Sequence, residues 1–277
     1  MQTLHVAVDE STHSLQGIAL GELLHRQWGG GIALVSVVAS SEQVDKRRAE
    51  LVAALDSQEL GGYRESLEIV TGDAADVLAG LASDPGKGLL CMTSHGRRPA
   101  SELLLGSVAA ETVRRAGTLV VLGGPQFDPG RHGRIDTLMV CVDGSRAAES
   151  VLEPAVNLAR RLDARLQLLH VVEVESDLES ALPGHAGHGD IMESGYVQSL
   201  ARRIREADGF EVDWEVLHGD NPAGAIHRYL TSCTNVMVVM TTHGRSGLSQ
   251  VAAGSVSRDI LHKVHCPVGV MHLVKGG

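Results

Sequence analysis

Aromatic residues are scarce, at 3% of the 277-residue chain. A core without them is built from Val, Leu, Ile and Ala, and hydrophobic residues at 43% are enough to bury one. No apolar run reaches the roughly 18 residues of a membrane-crossing helix. The first residues lack the basic start and long apolar core of a secretion signal. Leu4, Val6 and Val8 alternate there instead, as in a first strand. Basic charge is also lacking: the net charge is −10 and the pI about 5.7. That excludes a sequence-independent nucleic-acid surface and adhesion to an anionic membrane. Cys91, Cys141, Cys233 and Cys266 are scattered in or beside apolar runs without metal-ligand spacing. They read as reduced, buried thiols of a cytoplasmic protein.

What the chain has in abundance is internal repetition, which is sought before anything else. Thr93-Ser94-His95-Gly96-Arg97 is followed by Gly106-Ser107-Val108, and Thr241-Thr242-His243-Gly244-Arg245 by Gly254-Ser255-Val256. In both, nine residues lie between the glycine after His and the Gly-Ser pair. Other landmarks recur in the same order. Leu4 to Asp9 matches Thr137 to Asp143, and Ile32 to Val38 matches Leu166 to Val172. Ile69 to Asp73 matches Val216 to Asp220, Leu89 to Met92 matches Val236 to Met240, and Leu119 to Leu122 matches Val268 to Met271. The offset grows from 134 at Asp9 and Asp143 to 148 at Gly96 and Gly244. The second repeat thus carries about 14 extra residues, around Pro183 to Ile191.

Two domains are expected, residues 1–124 and 134–277, joined by the Gly- and Pro-containing linker Gly123 to Arg134. Helical spacing over Leu15–Trp28, Val44–Leu55, Ala147–Leu162 and Val197–Ile204 alternates with continuous Val/Leu strands. The fold class is therefore α/β, with a parallel sheet of about five strands per repeat covered on both faces.

In such a sheet, ligands bind beyond the carboxyl ends of the strands, where strand order reverses. Asp9 and Asp143 end the first strands, and the His-Gly segments end the fourth. The Gly-Ser pairs then open helices whose free N–H groups and dipole favour an anion. An Asp at the first strand end suits a ribose hydroxyl. A Gly-Ser pair at a helix start is also an ordinary cap, but its duplication at equal spacing, each time with a strand-end Asp, favours a phosphate-binding origin.

On these motifs the chain resembles the universal stress protein family, twice and along nearly its whole length. The family's nucleotide-binding members carry Gly-x2-Gly-x9-Gly-Ser/Thr after the fourth strand. The resemblance implies two tandem five-stranded, flavodoxin-like domains of the adenine nucleotide hydrolase-like kind, strand order 3-2-1-4-5, paired through their fifth strands. It also implies binding of ATP or a related adenine nucleotide. Ribose would meet Asp9, adenine Val37, and phosphates Gly96, Gly106 and Ser107. The second repeat's counterparts are Asp143, Val171, Gly244, Gly254 and Ser255. Neighbours completing the nucleotide-binding sets are Met92, Thr93, Arg97 and Val108, then Gly144, Ser145, Met240, Thr241, Arg245, Gly247 and Val256.

The chain departs from the motif at its first glycine, which is Thr93 in one repeat and Thr241 in the other. Glu10 stands where the second repeat has Gly144. Its charge beside a nucleotide, and the proline-stiffened Arg97-Arg98-Pro99 segment, make the second repeat the expected holder if only one is occupied. There is no Gly-x4-Gly-Lys-Ser/Thr loop and no Gly-x-Gly-x-x-Gly after a strand. No catalytic set can be assigned from spacing, so no enzyme is expected and ATP is expected not to turn over rapidly. His95 and His243 read as structural or solvent-facing rather than as ligand contacts. His185, His188 and Asp190 read as a polar loop rather than a metal site, and no tightly held metal is expected. The expected function is a cytosolic stress-response regulator that binds nucleotide. The alternatives are a nucleotide-free scaffold forming an internal pseudo-dimer and, less well supported, an adenylyl-transfer enzyme. Pairing of whole chains into a homodimer stays open.

Overall fold

The structure is a computed structural model that describes residues 3–84, 88–95, 105–174, 188–242 and 254–273, with the side chains of 188–193 left aside. The first repeat runs β1 (Thr3–Ala7), α1 (Thr12–Trp28), β2 (Ile32–Val38), α2 (Val44–Ser57), β3 (Leu67–Thr71), α3 (Ala74–Ser83), β4 (Gly88–Thr93), α4 (Ser107–Ala116) and β5 (Val120–Gly123). The second runs β6 (Thr137–Val142), α5 (Arg146–Glu149), α6 (Leu152–Leu162), β7 (Arg165–Glu173), α7 (His188–Asp208), β8 (Val212–Gly219), α8 (Pro222–Leu230), β9 (Val236–Thr241), α9 (Ser255–Lys263) and β10 (Val268–Met271).

Local chemistry sets the helix starts. Ser11, Asp73, Ser145 and Asn221 each accept a backbone N–H of the first turn, and Pro222 follows Asn221 where a missing N–H costs nothing. The helix expected over Ala147–Leu162 is broken at Ser150–Val151. Pro154 explains the break, since a proline cannot bond to, and crowds, the carbonyl four residues earlier.

All ten strands of the described residues form one sheet, ordered β3-β2-β1-β4-β5-β10-β9-β6-β7-β8. Each repeat thus shows the order 3-2-1-4-5. Pairing within a repeat is parallel, whereas β5 and β10 pair antiparallel, with Val120 opposite Val270 and Leu122 opposite Val268. The expected fifth-strand seam is present.

Two apolar cores flank the sheet, and both run across the seam. One packs α1, α2, α6 and α7 on one face; the other packs α3, α4, α8 and α9 on the opposite face. Alternate residues along β5 and just before it serve each: Leu119 and Val121 the first, Val120 and Leu122 the second.

The linker is docked rather than loose. Ile135 is fully buried; its N–H donates to Gln27 Oε1 at 2.6 Å, and Gln27 Nε2 donates back to its carbonyl at 2.9 Å. Gln27 also reaches the Leu162 carbonyl, and the Arg161 guanidinium lies 4.7 Å over the Trp28 ring. His132 is buried against His265, Nε2 to Nδ1 3.2 Å, while His265 Nε2 donates to the Leu230 carbonyl. Burial, first, holds the His132 pKa below the ordinary histidine value, although the hydrogen bond to the His265 carbonyl opposes it. A proton taken up by the unfolded chain near pH 6.5 is therefore resisted by the folded one. Stability is expected to fall as the pH drops through that value. His132→Gln, which keeps a donor for His265, is expected to show a shallower loss of melting temperature from about pH 7.5 to about pH 5.5. An unchanged slope would remove His132 as its source.

Candidate functional site

The carboxyl ends of β1, β2 and β4 and the start of α4 enclose a cleft of about 540 Å³ in the first repeat. The volume lies in the range of small-molecule sites. Asp9, Val37, Met92, Thr93, Gly106, Ser107 and Val108 all line it, so the structure brings together every described residue predicted for this repeat. Gly96 and Arg97 lie outside the described residues.

Asp9 leaves β1 into a tight turn. Its Oδ1 accepts the Ser11 N–H at 2.9 Å and the Ser11 hydroxyl at 2.5 Å, while its own N–H donates to Ser14 Oγ. This holds the carboxylate at the cleft wall. Val37 is half-buried beneath the opening. Thr93, the departure from the family motif, is the last residue of β4, and its hydroxyl donates to the His95 carbonyl at 2.7 Å. Neither Thr93 nor Thr241 has left-handed backbone, so the glycine freedom expected at that position is not needed here. Gly106 caps α4 directly against the strand end: its N–H donates to the Ser94 carbonyl at 2.8 Å, and an added Cβ would lie 3.0 Å from that oxygen. The glycine is thus required by the closeness of two backbones.

The second repeat repeats this plan. Asp143 Oδ1 accepts the Ser145 N–H at 2.9 Å, and Ser145 Oγ caps Ala148 at 3.1 Å. Between them Gly144 has φ of +83°, a conformation a side chain would strain. Met240 and Thr241 end β9, Val171 lies half-buried in β7, and Ser255 and Val256 open α9. The Gly254 N–H donates to the Thr242 carbonyl at 2.6 Å, and Ser257 Oγ donates to the same carbonyl at 3.3 Å. Gly244, Arg245 and Gly247, like His243 and His185, lie outside the described residues.

Sequence reasoning missed Arg47. It projects from α2 into the cleft wall, its side chain 15% exposed, with Nη1 3.1 Å from Glu10 and 3.4 Å from Ser36 Oγ. The Glu10 charge, read from sequence as repulsive to a nucleotide, is therefore held by a cation. No sequence signal marked Arg47, one of several charged residues in an amphipathic helix. His95 was read as structural or solvent-facing, yet it lines the cleft, with Nδ1 2.9 Å from Ser94 Oγ and its ring 5.2 Å from that of His262. Burial, with His95 adding, lowers the His262 pKa. Among the described residues no group of three His, Cys, Asp or Glu is gathered to hold a metal. Among them, too, no helix is long and apolar enough to cross a membrane.

A match to the model of the universal stress protein family spans residues 1–122 and again 134–272. The chain belongs to the universal stress protein family. Two copies of the family domain in tandem account for the ten-stranded sheet. A universal stress protein of Synechocystis is 27% identical over 146 residues, which is 47% of this chain and 94% of the relative. One from Mycobacterium tuberculosis is 30% identical over 197 residues, covering 65% of this chain and 60% of the relative. The crystal structure of a universal stress protein from Archaeoglobus fulgidus superposes with a TM-score of 0.60 at 18% identity, covering 98% of each chain. That likeness is one of fold.

Proposed function

We propose that this tandem universal stress protein is a cytosolic stress-response regulator that binds ATP or a related adenine nucleotide and does not turn it over rapidly. The observation that carries this reading is the convergence of Asp9, Val37 and the Gly106–Ser107 helix start on one cleft. The α4 N-terminus supplies N–H groups and a positive dipole end for phosphate. Asp9 offers a carboxylate to ribose hydroxyls, and Val37 an apolar surface to the base. Asp9 is the single carboxylate among the described lining residues, so no pair is placed for general acid–base work. The free thiols, Cys91 and Cys266 buried and Cys141 and Cys233 half-buried, with Cys91 pushed up to about 12, suit a reducing compartment.

Titration of the purified chain with ATP by calorimetry is expected to show saturable binding, and mass spectrometry of released ligand an adenine nucleotide. Hydrolysis is expected well below about 1 per second. No binding would favour the alternative of a nucleotide-free scaffold, which the continuous β5–β10 seam supports. Turnover at that rate or faster, abolished by a point change in the cleft, would overturn the regulatory reading.

A further inference from the structure

Three positions around the ribose-side turn form one contact set in each repeat, and their chemistry differs. Leu51 and Leu55 of α2 and Leu200 and Ile204 of α7 are buried pairs at the same four-residue spacing, and Arg47 and Tyr196, each four residues before its pair, contact Ser36 and His170 respectively, which makes Tyr196 the counterpart of Arg47. Ala7 lies opposite Val35 and Cys141 opposite Leu169, so Ser36 and His170, one residue later, also correspond. The turn contributes Glu10 in one repeat and Gly144 in the other.

In the first repeat the set is small and ionic. Arg47 lines the cleft between Glu10 and Ser36 Oγ, with Glu50 3.6 Å from its Nε. In the second it is bulky and aromatic. His170 is 1% exposed, its Nδ1 2.9 Å from the Val142 carbonyl and its ring 5.4 Å from that of Tyr196. The Tyr196 hydroxyl donates to Glu149 Oε1 at 3.2 Å and lies against the Gly144 amide beside Asp143. Burial, then Glu149, drive its pKa up, so it stays neutral. Glu149 in turn binds Arg203 at 2.6 Å. Where the first repeat has a serine and Arg47 paired with Glu10, the second has two rings and Glu149 paired with Arg203.

We propose that this exchange, Glu10/Ser36/Arg47 against Gly144/His170/Tyr196, makes the first cleft the nucleotide site and leaves one nucleotide per chain. The inference rests on the reading of the cleft given above and sharpens it by naming Arg47 as a specificity-determining residue. The rings of His170 and Tyr196 stand where the first repeat has Ser36 and Arg47, and the nearby cation Arg203 is engaged by Glu149. Arg47 offsets the turn's second carboxylate, so that a nucleotide meets Asp9 without Glu10 unscreened.

The test is calorimetric titration of the full chain with ATP. One ATP per chain is expected. Arg47→Gln, which keeps the stem's packing, is expected to weaken binding at least tenfold while the melting temperature without ATP moves little. Asp9→Asn, which keeps the Ser11 contact, is also expected to weaken it about tenfold. The double change Gly144→Glu with Tyr196→Arg, made in the full chain, is expected to add a second binding event. Two ATP per chain in the unaltered protein, or undiminished affinity in both Arg47→Gln and Asp9→Asn, would overturn this assignment while leaving nucleotide binding intact. No ATP binding at all would overturn the functional reading itself.

Discussion

Gly124→Ala is expected to lower the melting temperature by roughly 6 to 12 °C, from a loss of about 3 kcal/mol. Gly124 follows β5, and the Leu261 carbonyl of α9 lies where its side chain would start: an added Cβ would be 1.9 Å from that oxygen. The obstacle is helical backbone, not a flexible side-chain end. α9 cannot shift outward locally, because Ile260 and Leu261 are buried in the core shared by both repeats. The methyl group therefore acts on the joint between repeats, and the loss is expected in the single cooperative transition that a continuous core implies. Gly80→Ala is the matched control. Gly80 lies within α3 with open space where its side chain would start, so helix propensity alone applies and a gain of about 0.5 to 1 kcal/mol is expected. Scanning calorimetry of both variants decides: an unshifted Gly124→Ala would mean that α9 is not seated on the end of β5.

Much of this architecture was legible in the sequence because parallel strands buried on both faces are nearly continuous Val/Leu runs. β9, Val236–Thr241, is buried at every position and needed no alternation to be seen. The strand order implied by the family resemblance then placed β5 and β10 at the free edge of each half, and two apolar edges had to be covered. Asp9, Gly106 and Ser107 were legible because they sit at strand and helix ends, where residue type is constrained by backbone chemistry. What stayed hidden was relational. Arg47 is one of three consecutive basic residues, Lys46, Arg47 and Arg48, and only the three-dimensional path of α2 turns that one toward the strand-end turn. Its absence from the sequence reading had a consequence: Glu10, taken alone, argued for the second repeat, whereas Glu10 with Arg47 argues for the first. Thr93, which stands at the family motif's first glycine, ends β4 without left-handed backbone and turns its hydroxyl onto its own loop.

Val120→Asp tests whether the seam is the structural centre of the molecule, and it carries the largest effect expected of any single change. Val120 is fully buried, opposite Leu90 on β4 and Val270 on β10, within the core of α3, α4, α8 and α9. A carboxylate there has no partner among its apolar neighbours, so the folded chain keeps it protonated or moves it to water. A loss of more than about 4 kcal/mol near pH 8 is expected, the range reached by a buried unpaired charge. The pH dependence identifies the cause. Burial raises the folded-state pKa above the unfolded value, so the unfolded chain releases its proton first and the deficit grows as the pH rises. The difference in melting temperature between variant and unaltered chain is thus expected to be smaller at about pH 5.5 than at about pH 8. The buried His132 drives the opposite trend in both proteins, and taking the difference removes it. If the deficit were the same at both pH values, lost packing rather than charge would be responsible. If the variant melted like the unaltered chain, Val120 would be open to water and the two repeats would not share a core.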